Sequence, residues 1–221
     1  MTDALGTERT LVLLRHAKAE PPDDGPDADR RPTARGHADA AAAGAWLARH
    51  GLRPDVVLCS TARRTRQTWL AVATALSGPS ERALSNPSER TGLPAPTGTA
   101  GPNPAEHAGT AAPNPAEHAG TAGSGPGERA SAAGPVVRYE PGAYEATPKG
   151  LLGLVRSVPP EAVTVLLVAH NPGISLLSAL LDPQGADQQG LRTTGLVVHR
   201  ARLPWAELRQ ADVTARHTAR A

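Results

Sequence analysis

Residues 11–20 read LVLLRHAKAE. Leu11, Val12, Leu13 and Leu14 are four aliphatic side chains in succession, and Arg15 and His16 follow with no polar spacer. A short, continuous apolar run marks a strand covered on both faces, because a half-exposed strand would alternate. The run therefore predicts a central strand over 9–14, and the cation and imidazole behind it are delivered to the rim of a sheet. Residues 56–59 (VVLC) and 163–169 (VTVLLVA) share the same form. Residues 136–139 (VVRY) and 195–199 (GLVVH) are weaker strand candidates.

Helical patterns lie between these runs. Residues 34–50 place Ala42, Ala43, Trp46, Leu47 and His50 at three- and four-residue spacing, with Thr33 positioned to cap the start and Gly51 to end the helix. A second helix is expected over 65–77, with Trp69, Val72, Ala73 and Leu76 on one side. A third starts at Thr147-Pro148, a capping residue followed by proline at the first helical position, and a fourth covers about 174–181. Strands alternating with helices predict an α/β sandwich around a mostly parallel sheet.

Composition narrows the classes of function. The 221 residues carry 23 Lys+Arg against 21 Asp+Glu, with no run of like charge, so a nucleic-acid-binding surface is not expected. Cys59 is the single cysteine, which excludes an intramolecular disulfide and a cysteine-rich zinc site and fits a reducing, cytoplasmic setting. No apolar run approaches the roughly 20 residues of a membrane span, and the first residues, MTDALGTERT, lack a signal-like apolar stretch. Phe is absent and Trp and Tyr are scarce, so Leu, Val and Ala must build the core. Residues 78–135 are dominated by Pro, Gly, Ala, Ser and Thr, and an 11-residue unit containing PNPAEHAGTA occurs at 102–111 and again at 113–122. Two prolines and a glycine per copy oppose a helix, so disorder is expected there, and His107 and His118 inside the repeat are not read as metal ligands. The expected organisation is a tail over 1–8, one domain from 9–77 and 136–203, the insert over 78–135, and a C-terminal segment over 204–221.

In an open α/β sheet, ligands sit beyond the carboxyl ends of the strands. Three strong strands end there in charged or polar groups: Arg15 and His16 after the first, Ser60, Arg63, Arg64 and Arg66 after the second, His170 and Asn171 after the third. Guanidinium forks suit a tetrahedral phosphoryl dianion, and a neutral imidazole nitrogen can attack phosphorus. Fixed cations hold the charge on the equatorial oxygens as the group moves, so neither a metal nor a cofactor is required.

These segments resemble a known family. LLRHAKAE is similar to the Arg-His signature of the histidine phosphatase superfamily, which has the phosphoglycerate-mutase-like fold. CSTARRTRQTW resembles its second segment and VAHNPG the segment carrying its second histidine, in the family's order. RRPTARGHADA resembles its Thr-x-x-Gly helix start. The chain length, HNPG and YEATPKGLLGLVRSV are most similar to the small SixA-type phosphohistidine phosphatases. Ala17 stands where many members have Gly, and Thr61 where they have Pro. The resemblance implies a three-layer sandwich in which His16 is the transiently phosphorylated nucleophile, Arg15 and Arg64 bind phosphoryl oxygens, and His170 completes the pocket. Lys18 and Asn171 are candidates to line the entrance. Larger members supply a separate proton donor, for which Glu145 is the candidate here, while a phosphohistidine substrate can dispense with one. The expected activity is thus a metal-independent phosphatase acting on protein phosphohistidine. A small phosphoester substrate and a non-catalytic phosphate-binding adaptor are the alternatives.

Overall fold

The computed structural model describes residues 7–78 and 134–218; the repeat-bearing insert expected to be disordered lies outside the described residues. In chain order the elements are β1 (Arg9–Arg15), α1 (Ala34–Arg49), β2 (Val56–Ser60), α2 (Arg63–Leu76), β3 (Val136–Glu140), α3 (Pro148–Arg156), β4 (Thr164–Ala169), α4 (Gly173–Leu181), β5 (Leu196–Ala201) and β6 (Asp212–His217). The strands form one sheet in the order β3-β2-β4-β1-β5-β6. Strands β3, β2, β4 and β1 run parallel, while β5 is antiparallel to β1 and β6 antiparallel to β5. The sheet is therefore mostly parallel, with helices on both faces.

The continuous apolar runs have a direct cause. Val12, Leu14, Val57, Cys59, Leu166 and Val168 point to one face and pack with Ala43 and Leu47 of α1 and Trp69, Val72 and Leu76 of α2. Leu11, Leu13, Leu58, Val165 and Leu167 point to the other, against Leu151 and Val155 of α3 and Ile174, Leu177 and Leu181 of α4. Successive strand side chains alternate faces, so two covered faces leave no polar position along the strand. Among the described residues no helix is long and apolar enough to cross a membrane.

Helix α1 starts where its cap predicts: Thr33 Oγ1 accepts from the Gly36 N–H at 2.9 Å. It ends at Gly51, whose φ of +65° lets the Leu52 N–H reach the Leu47 carbonyl and the Gly51 N–H the Ala48 carbonyl. The buried stripe of α1 differs from the sequence reading. Gly36, Ala40, Ala43, Gly44 and Leu47 are buried, whereas Ala42 and His50 are exposed and Trp46 is half-buried. Close approach to α2 sets this face, since a Cβ on Gly44 would stand 2.5 Å from the Val72 carbonyl oxygen. Small residues give that contact little hydropathy signal.

The sheet also continues past residue 203. Strand β6 pairs with β5, and before it Trp205 is buried with its indole N–H donating to the Ala162 carbonyl at 2.7 Å.

Candidate active site

Parallel strands in register finish together. Arg15 lies opposite Ala169 across β1 and β4, Cys59 opposite Val168 across β2 and β4, and Ser60 opposite Glu140 across β2 and β3. The segments leaving these four strand ends carry His16, Arg64, His170 and Tyr144.

His16 is fixed by its backbone and its ring. Its N–H donates to the Ala169 carbonyl at 3.1 Å, and the Thr194 N–H is shared between the Arg15 and His16 carbonyls at 3.2 Å each. Its Nδ1 lies 2.8 Å from the Ala17 carbonyl oxygen. A carbonyl can only accept, so Nδ1 carries the proton and Nε2 keeps a lone pair. The Ala17 N–H donates to Thr68 Oγ1 at 2.9 Å, and that hydroxyl donates to the Arg64 carbonyl at 2.6 Å, which ties the His16 loop to the first turn of α2.

The ring of His170 has its centroid 5.0 Å from that of His16, and Tyr144 meets it edge-on at 5.3 Å. Its Nε2 lies 2.8 Å from Ser60 Oγ, while Nδ1 is buried with no hydrogen-bond partner among the described residues. Arg64 is 7% exposed and bonds twice to Asp27, NH1 to the carbonyl oxygen at 2.6 Å and NH2 to Oδ2 at 2.8 Å. The Tyr144 hydroxyl donates to the same Oδ2 at 2.6 Å, and Arg30 NH1 to Oδ1 at 2.8 Å. Arg15 donates from NH1 to the Leu191 carbonyl at 2.8 Å, and its buried Nε has no partner among the described residues.

The electrostatics follow from this packing. Burial lowers the His16 pKa to about 4, helped by the Arg64, Arg15 and Arg30 charges and opposed by the Ala17 carbonyl. Burial likewise takes His170 to about 3, with His16, Arg64 and Arg15 adding to the effect and Asp27 opposing it. Hydrogen bonds from Tyr144, Arg30 and Arg64 hold the Asp27 carboxyl well below the usual carboxylate range. At neutral pH the pocket contains two neutral imidazoles and an ionised carboxylate among guanidinium groups.

One consequence concerns stability. In the unfolded chain these histidines titrate near the ordinary value of about 6.5, whereas burial depresses His16 and His170 in the folded state, and His199 in the core as well. Below pH 6.5 the unfolded state binds more protons, so stability falls as pH drops from about 6.5 towards 4. The urea midpoint is expected to be lower at pH 5 than at pH 7. Replacing His16 and His170 together by Asn should flatten that dependence, and an unchanged slope in the double variant would contradict the burial effect.

The structure thus brings Arg15, His16, Arg64 and His170 to one rim. The remaining sequence candidates stand differently. Asn171 donates from Nδ2 to the same Leu191 carbonyl that Arg15 uses, at 2.9 Å, and accepts from the Ser175 hydroxyl, so its amide braces the loop beside Arg15. Lys18 is exposed, and it is its carbonyl that bonds, accepting from the Thr33 N–H. Glu145 is exposed with φ at +53° and forms no hydrogen bond or ion pair among the described residues. Sequence reasoning missed Asp27 and its partners Arg30 and Tyr144. The only trace was an acid three residues before an arginine, within a loop holding five carboxylates between 20 and 29.

Residues 11–83 match the model of the histidine phosphatase superfamily, branch 1. The chain is similar to an uncharacterised protein of Mycobacterium leprae, 26% identical over 220 residues, covering 94% of this chain and all of the other. Among solved structures it is similar to a Nakamurella multipartitia protein assigned as the phosphohistidine phosphatase SixA, at 27% identity and a TM-score of 0.63, covering 96% of this chain and 98% of that one. An Agrobacterium tumefaciens protein with the same assignment shares the fold at 22% identity, a TM-score of 0.63 and the same coverage.

Proposed function

We propose that this chain, a member of the histidine phosphatase superfamily, is a metal-independent phosphatase that removes the phosphoryl group of protein phosphohistidine by way of phospho-His16. The observation that carries the reading is the state of His16: Nδ1 is committed to the Ala17 carbonyl, and the ring is neutral beside Arg15, Arg64 and His170. Nε2 then has a lone pair for phosphorus, and the two guanidinium groups face the charge that builds on the equatorial oxygens. These cations do the work otherwise given to a metal.

In the first step the Nε2 lone pair forms a bond to phosphorus, and the P–N bond of the substrate breaks. The substrate reacts as its phosphoimidazolium, with the far ring nitrogen protonated from solvent, a form that an imidazole titrating near 6.5 populates around neutral pH, so the departing imidazole takes the P–N electron pair and leaves neutral. The Ala17 carbonyl keeps the proton on Nδ1, so the intermediate is a phosphoimidazolium with a labile P–N bond. Water attacks it, releasing phosphate and returning the electron pair to Nε2.

Asp27 supports the substrate class. The carboxyl group in this pocket is held ionised by Tyr144, Arg30 and Arg64, so it has no proton to give to a departing alkoxide. An imidazole already protonated on its far nitrogen needs none from the enzyme. The full chain should therefore hydrolyse a phosphohistidine protein with kcat/KM about 100-fold or more above that for a phosphoserine peptide or a sugar phosphate, undiminished by a chelator. Equal or higher activity on the phosphoesters would overturn the substrate assignment and leave phospho-His16 standing. The partner is then a phosphorylated protein in the cytoplasm.

A further inference from the structure

We infer that Ser60 is a positioning residue that selects the tautomer of His170, so that Nδ1–H is the atom offered to the phosphoryl oxygens. The inference rests on the proposed phosphatase reading only for its kinetic consequence.

The hydroxyl of Ser60 is wholly buried and lies 2.8 Å from His170 Nε2. Among the described residues its only other neighbour in hydrogen-bond range is the Ala62 N–H, at 3.5 Å, which can only donate. If Nε2 also donated to Ser60, the hydroxyl proton would have no acceptor in a place closed to water. If instead Ser60 donates to Nε2, the hydroxyl is satisfied as donor and acceptor, and the ring must carry its proton on Nδ1.

Neutrality makes the choice exclusive. Burial first, and then His16, Arg64 and Arg15, oppose a charge on His170, so the ring has one N–H and one lone pair. Nε2 is already taken by Ser60, which leaves Nδ1, buried and without a partner among the described residues, to meet a ligand. A lone pair at Nδ1 would repel an oxyanion, whereas an N–H there satisfies both itself and the ligand. The position of Ser60 follows from the sheet, since it is the last residue of β2 and β4 runs directly beside that strand.

Imidazole tautomers can be read without any substrate. The full chain, labelled with 15N-histidine, is measured at pH 7 by long-range 1H–15N correlation, with His170 assigned from the His170→Asn spectrum. The wild type is expected to show an unprotonated Nε2 and a protonated Nδ1. Ser60→Ala should move His170 to an averaged or reversed pattern and lower kcat on phosphohistidine roughly 10- to 100-fold with little change in KM. Ser60→Thr, which restores the hydroxyl, should recover both. A wild-type ring protonated on Nε2, or a Ser60→Ala spectrum identical to wild type, would overturn the inference. The wild-type spectrum decides the matter even if the variants fold poorly. Failure of phosphohistidine as substrate would leave the spectroscopic result intact, so the two readings fail separately.

Discussion

Replacing His16 by alanine is expected to abolish turnover, lowering kcat at least about 10⁴-fold, and to remove the phosphoenzyme altogether. The size of the effect follows from what the ring supplies. It is the one imidazole of the pocket whose Nδ1 is bonded to a backbone carbonyl, and the lone pair this leaves on Nε2 is the atom that takes the phosphoryl group. Arg15, Arg64 and His170 remain in the variant and still bind the anion, so binding of inorganic phosphate should survive while chemistry stops. Rapid quenching at alkaline pH preserves phosphohistidine, and peptide mapping by mass spectrometry should then find the phosphate on residue 16 of the wild type and nowhere in His16→Ala. A variant with turnover within tenfold of wild type, or phosphate mapped to another residue, would end the proposed mechanism. The same argument fixes a pH profile. With His16 neutral down to about pH 4 in the free enzyme, kcat/KM should show no loss as pH drops through 6.5 and should fall only as His16 gains its proton and loses the lone pair.

Much of this was legible because burial on both sheet faces writes itself into the chain. Strands β2 and β4 are apolar at all but one position and β1 is apolar from Leu11 to Leu14, and a residue at the end of such a run has little freedom in where it goes; that is how Arg15, His16 and His170 could be placed at one rim. Strand β6 offered no such signal. It forms the edge beyond β5, its residues alternate between exposed and half-buried, and DVTARH contains no continuous apolar run. The contact face of α1 was misjudged for a related reason, because alanine and glycine make the contact with α2 while the larger Trp46 lies only half-buried. Asp27 was illegible in a different way. It belongs to a loop with neither helical nor strand period, and its position is set by Arg64, Arg30 and Tyr144, residues up to 117 positions away. A tertiary bond of that kind leaves no pattern for local reading.

That bond defines the other large effect, at Arg64. A guanidinium has five N–H donors in a rigid plane, and Asp27 takes one from NH1 and one from NH2, leaving the remainder for phosphoryl oxygens. Lysine carries the same charge but no fork, so it cannot hold Asp27 and grip two oxygens in a fixed plane at once. Arg64→Lys is therefore expected to lower kcat/KM on the order of 10²- to 10³-fold, the usual cost of losing one oriented donor group at a developing oxyanion. Asp27→Ala should cost less, roughly tenfold, because it removes the brace and leaves the fork. If Asp27 acts through Arg64, the two changes will not add: Asp27→Ala made on top of Arg64→Lys should lower kcat/KM by no more than about twofold further. Steady-state kinetics of the four proteins, each checked for native circular dichroism, completes the cycle. Full additivity would show that Asp27 meets the substrate by itself, and Arg64→Lys activity within a few-fold of wild type would show that charge alone, without the planar fork, is what the phosphoryl group requires.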